Sequence, residues 1–193
     1  MPFGEMPTSA AWRHHGAREG FEAAFFDAES AGYRLTGHTA ATEAGRAWAV
    51  RYVISLDDRW ITRTAQIWGR SLDGEREVTI EGDGTGRWRV NGANAPDLDG
   101  CLEVDLESSA STNSIPVHRL DLAVDQSADA PAVYVRAYDL GVERLEQQYR
   151  RLTDEGDHQR YSYRAPSFDF EARLVYDTAG LVLKYPDIAA RVF

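Results

Sequence analysis

The chain has 193 residues, of which 43% are hydrophobic and 27% charged, an ordinary globular composition that argues against disorder along most of its length. A formal net charge of -10 gives the molecule a field that repels polyphosphate, which argues against nucleic acid as a partner, and a single cysteine, Cys101, leaves no internal disulfide. Neither a basic and apolar leader over Met1 to Ala11 nor a run of roughly 20 apolar residues is present, so the expectation is a cytoplasmic protein without stable membrane insertion.

The length suits one domain over 1–193, and the punctuation is that of an all-β chain: short alternating segments separated by Gly, Asp, Asn and Pro. His14 and His15 come first and, being adjacent on a strand, point to opposite sides and cannot share one metal ion. The clearest pair of strands runs from Trp48 to Leu56 and from Trp60 to Trp68, joined by Asp57, Asp58 and Arg59. If Leu56 faces Trp60, then Ile54 faces Thr62, Tyr52 faces Thr64, Val50 faces Gln66 and Trp48 faces Trp68. That register puts Ile61, Ala65 and Ile67 on the opposite side, so the expected sheet has both faces covered in places.

A second hairpin is expected from Glu77 to Glu81 and from Arg87 to Asn91, with Ile80 opposite Trp88, Val78 opposite Val90 and Glu81 opposite Arg87. Gly82, Gly84 and Gly86 lie in its loop and not before a helix, which removes the phosphate-cradling reading of a glycine string. Further strands are expected at Leu102 to Leu106, Val117 to Val124, Ala132 to Ala137, Tyr161 to Tyr163, Phe168 to Tyr176 and Leu181 to Tyr185. Residues 142–152 fit both periods and are expected to continue the meander as a strand; a short helix is expected after Pro186.

No metal-ligand spacing, nucleophile elbow or defined carboxylate pair emerges, so no catalytic residue, metal or cofactor is assigned. Ser108, Ser109, Ser111 and Ser114 crowd one loop near His118, an arrangement that reads as local backbone satisfaction. Glu103 and Asp105 read as a solvated strand face. Thr112, Asn113 and Ser114, followed by Ile115, Pro116, Val117, His118 and Arg119, form the one polar cluster that stands out; Pro116 is expected to keep Ile115 extended. Arg119 is open to two roles, a solvated charge or a buried fork.

At this cluster the sequence resembles the putative glycolipid-binding family. The resemblance is carried by Gly86-Arg87-Trp88, Leu98-Asp99-Gly100-Cys101, Val104-Asp105-Leu106, Thr112-Asn113-Ser114-Ile115-Pro116-Val117 and Arg119-Leu120. It extends to Trp60-Ile61-Thr62-Arg63 upstream and to Gln148-Tyr149, Tyr161-Ser162-Tyr163 and the stretch from Asp177 to Pro186 downstream. His118 stands where the family carries the first of two arginines, and Ser109-Ala110-Ser111 replaces a segment that there holds Pro and an aromatic. The resemblance implies a single antiparallel meander sheet rolled on itself, a spiral β-roll with at most short helical segments. It also implies non-catalytic binding of a glycolipid or fatty-acid-like amphiphile. The ligand-contacting residues expected on that basis are Trp60, Arg63, Thr112, Asn113, His118, Arg119, Tyr149 and Tyr163. The alternative is a protein-interaction domain, or a homo-oligomer, with a solid core and no small-molecule ligand.

Overall fold

The computed structural model describes residues 3–193. Period-two alternation builds six consecutive antiparallel strands, β1 (Ser9–His14), β2 (Arg18–Glu29), β3 (Gly32–Glu43), β4 (Arg46–Asp57), β5 (Thr62–Ser71) and β6 (Gly74–Gly82), with the short β7 (Trp88–Val90) and β8 (Ala93–Asn94) at their end. The chain then turns inward as β9 (Glu103–Leu106), the short helix α1 (Ser114–Leu120), β10 (Ser127–Asp129), β11 (Ala132–Val135) and β12 (Val142–Leu145). A second meander follows: β13 (Gln148–Glu155), β14 (His158–Ala165), β15 (Phe170–Tyr176), β16 (Val182–Tyr185) and β17 (Ala189–Arg191).

Because β17 pairs with β1, the two meanders join into one open antiparallel sheet of 14 strands, with β10 at one edge and β8 at the other. Inside it lies a three-stranded sheet in which β11 is parallel to β9 and antiparallel to β12. All four residues of β11 are buried, the signature of a strand covered on both faces. The ambiguous 142–152 stretch is strand at both ends, and the chain changes sheets between Leu145 and Gln148.

On the inner face of β4, Trp48, Val50, Tyr52, Ile54 and Leu56 are all buried, as alternation requires. Their partners differ from expectation: Val50 faces Gly69 and Tyr52 faces Ile67, a slip of three positions that carries Ala65 and Ile67 to the same inner side. The cause is the connection. The Asp57 carboxylate accepts the backbone N–H of Arg59 and of Ile61, each at 3.0 Å, Trp60 takes a left-handed φ of 62°, and Arg63 is left unpaired as a bulge. The expected sheet with two covered faces is therefore corrected to one with a packed inside and an outside carrying Arg51, Thr64, Gln66 and Arg70. The second hairpin slips by two, pairing Ile80 with Val90 and Glu81 with Arg89, and an even slip leaves every side chain on its expected face.

Two expectations of local structure are overturned. Residues from Ser114 to Leu120 form α1 and not a strand: Pro116 sits in the first helical turn, where the missing N–H costs nothing, and the Ser114 hydroxyl donates to the Ser111 carbonyl at 2.6 Å. Asp121, at a left-handed φ of 41°, ends the helix with its N–H on the Val117 carbonyl. After Pro186 there is no helix; Asp187 turns the chain with φ 60° and delivers β17 to β1.

Candidate functional site

Where the inner sheet meets the second meander, a cavity of about 390 Å³ opens between β9, β11, β14, β15 and β16. Its walls are aromatic. Tyr163, Phe170 and Tyr185 pack edge to face in a triangle with centroids 5.9 to 6.0 Å apart, and across from them Tyr134 meets Phe168 at 5.4 Å. Asp105, Ser109 and Asn113 supply polar groups to the lining. The size lies in the ordinary range for small-molecule sites, as does the combination of apolar walls with a few polar groups.

Asp105 is the most perturbed acid of this lining. Its two oxygens accept from the Thr112 hydroxyl at 3.0 Å and from the Gln147 amide at 3.1 Å, yet burial dominates and pushes its carboxyl up to about 6. Burial also raises the phenols of Tyr134, Tyr149, Tyr163, Tyr176 and Tyr185, and the Asp105 charge raises each of them further. All of these tyrosines are therefore neutral hydroxyls at physiological pH. Because folding raises the Asp105 carboxyl above its ordinary 3.8, the ionised form opposes folding. That penalty is absent below pH 4, grows as pH rises, and is fully present above about pH 6. Asp105→Asn is accordingly expected to stabilise the protein by about 1–3 kcal/mol at pH 8 and by nothing at pH 4, checked by thermal unfolding at both pH values.

Of the expected ligand contacts, Asn113 and Tyr163 line the cavity. Thr112 and Tyr149 stand one step behind, Thr112 on Asp105 and Tyr149 with its hydroxyl donating to Asn113 Oδ1 at 3.1 Å. The Tyr176 hydroxyl donates to the Asn113 carbonyl at 3.2 Å, so both ends of this residue are fixed. Trp60 and His118 lie elsewhere, stacked face to face at 3.9 Å beside Tyr33 and Phe3. The His118 Nε2–H donates to the Ala179 carbonyl at 2.9 Å, and burial lowers its pKa to about 4, so it is a neutral ring there. Arg63 is exposed near Asp57, and Arg119 grips Glu103 with bonds of 2.6 and 3.0 Å.

Several residues of the site were not expected from the sequence. Glu103 and Asp105 are not a solvated face: Glu103 is 1% exposed and Asp105 points into the cavity. Glu22, also 1% exposed, sits at the hub of a buried network, accepting from the Tyr52 hydroxyl at 2.7 Å, from Ala110 N–H at 2.7 Å and from Ser109. Ser111 joins through Tyr52 at 2.7 Å, and His14 Nε2 approaches the same carboxylate at 3.8 Å. The crowded serines thus serve Glu22 and the backbone. A signal for Glu22 was available, an acid at an inward position of a strand whose next inward residues are Ala24 and Phe26.

Among the described residues no helix is long and apolar enough to cross a membrane. No curated protein matches the chain. Of solved structures, a β-barrel-like protein of the domain of unknown function DUF1849 from Brucella abortus shares the fold, with a TM-score of 0.54, 10% identity and coverage of 95% of this chain and 94% of that one. A DUF1089 family protein from Pseudomonas aeruginosa is similar over 100% of both chains, with a TM-score of 0.76 and 29% identity. The family described as "Putative glycolipid-binding" matches residues 9–191, every strand of the roll and all of the cavity lining, and the chain belongs to that family.

Proposed function

We propose that the protein binds a glycolipid or another amphiphile in the aromatic cavity and carries out no chemistry on it. The observation that carries this reading is the cavity's division of labour: five aromatic rings form walls for an apolar chain, while Asp105 and Asn113 offer fixed polar atoms to a head group. Asn113 is held at its carbonyl and its side-chain oxygen by two buried tyrosines, so its amide nitrogen is pre-oriented and costs little entropy to use. The non-catalytic part is supported by His118, the base nearest in sequence to the serines, being committed to Ala179 and stacked on Trp60.

The test is titration of the purified protein with neutral, cationic and anionic amphiphiles below their micellar concentrations, followed by calorimetry, with native mass spectrometry for any lipid that co-purifies. Saturable one-to-one binding is expected, weakened about tenfold or more in Tyr163→Ala, which removes one wall of the triangle. Trp60→Ala, outside the cavity, should leave the affinity unchanged. Absence of saturable binding across the whole panel would overturn the reading.

A further inference from the structure

We infer that the cavity selects an amphiphile whose head group is an organic cation, an amine or quaternary ammonium, seated on the Asp105 carboxylate and against the rings of Tyr134, Phe168, Tyr163 and Tyr185. This deepens the binding reading given above and rests on it.

The charges of the lining set the class of head group. Three carboxylates, of Asp105, Glu107 and Asp187, line the cavity against a single guanidinium, that of Arg18. Arg18 is already taken: it donates to the Glu107 carbonyl and to Glu107 Oε1 at 2.9 Å, and its Nε lies 3.6 Å from Glu43 Oε2. Glu107 is neutralised by the same contact. Asp105 has no such partner, since both of its hydrogen bonds come from neutral groups, the Thr112 hydroxyl and the Gln147 amide. The other titratable side chains of the lining are His15 and the neutral phenols of Tyr134, Tyr163 and Tyr185. A carboxylate or phosphate head would be placed against the unneutralised Asp105 charge, and a neutral sugar would hydrogen-bond to it but leave that charge uncompensated. A cation answers it directly.

The walls favour the same class. Ring faces attract cations when the charge lies within about 6 Å of the centroid, most strongly where water is excluded, and Tyr134, Phe168, Tyr163 and Tyr185 belong to the same lining as Asp105. The half-buried Asp105, hydrogen-bonded but without a cationic partner and with its carboxyl pushed up to about 6, is the group whose ionised form a bound cation would relieve.

The experiment compares three probes with one dodecyl chain, dodecyltrimethylammonium, dodecyl maltoside and dodecyl phosphate, by calorimetry at pH 8 in physiological salt, with tetramethylammonium as a competitor. Binding of the ammonium about tenfold or more tighter than the maltoside is expected, with the phosphate weakest. Asp105→Asn, whose folding is checked by its unfolding temperature, should abolish that preference. Equal affinities for ammonium and maltoside, or a preference that survives Asp105→Asn, would overturn the cation inference while leaving amphiphile binding standing. No binding of any probe would overturn both.

Discussion

Arg119→Ala is expected to destabilise the protein by about 3–5 kcal/mol, lowering the melting temperature by roughly 10 °C or more. Arg119 Nε and Nη2 donate to the two oxygens of Glu103 at 2.6 and 3.0 Å, and the Glu103 side chain is 1% exposed. Burial raises the Glu103 carboxyl, and the Arg119 charge offsets only part of that rise. Removing the guanidinium therefore leaves an acid that must be buried charged or take up a proton. Because protonation is the remedy, the deficit of the variant should be largest near pH 8 and should shrink as pH falls, the sign required of a carboxyl whose folded pKa is raised. Combining Arg119→Met with Glu103→Leu should recover most of the loss, because a well-packed apolar pair is about as stable as a buried ion pair. Chemical unfolding of the two singles and the double completes the cycle; additive losses would show that the two side chains do not depend on each other.

Glu22→Ala is the second large effect, a loss of about 2–4 kcal/mol. The Glu22 carboxylate takes hydrogen bonds from Tyr52, Ser109 and the Ala110 N–H, and deleting it strands the backbone donor inside the roll while opening a void. The hydroxyls of Tyr52, Ser109 and Ser111 can still pair with one another, which keeps the cost below the sum of the lost bonds. Glu22→Gln should retain most of the stability, since its carbonyl can accept from Ala110 and its amide can donate to the hydroxyl oxygens. Urea unfolding of both variants decides the matter: a Gln variant as unstable as the Ala variant would mean that the negative charge itself, and not the acceptor geometry, holds the network.

The strand content was legible because alternation records which side of a sheet is wet, and this survives whatever lies between strands. Register was less so. The slip of two at Ile80 and Val90 is harmless to any argument about faces, whereas the slip of three at Tyr52 and Ile67 turned Ala65 and Ile67 from outside to inside. That slip comes from Asp57 capping two N–H groups and Trp60 adopting a left-handed backbone, choices a bulky aromatic does not advertise. Pro116 misled in a similar way, because one residue type serves an extended stretch and a first helical turn equally well.

The site was legible only in part, for a topological reason. Asn113 and Tyr163 could be singled out, but Tyr134 and Asp105 come from two strands of the inner sheet and Tyr185 from the second meander. Nothing in sequence spacing brings these three together; the parallel pairing of β9 with β11 sets Asp105 beside Tyr134, and the packing of the two sheets adds Tyr185. Trp60 and His118 show the converse: Trp60 lies in a stretch shared with the family, His118 stands at a departure from it, and they meet each other away from the cavity.

The join between β1 and β17 also governs how the chain can fold. β2 and β3 are consecutive strands paired along their whole length, from Glu29 opposite Gly32 to Arg18 opposite Glu43, whereas β1 meets β17 across almost the whole length of the chain. Each meander can zip up by local steps, but the seam must wait for the slow encounter of distant segments. During synthesis the outer edge of β1 is made early and stays without its partner until β17 has left the ribosome. For that interval Trp12 and its neighbours present an open strand edge to the cell, and the speed of closure sets the exposure of the nascent chain to aggregation.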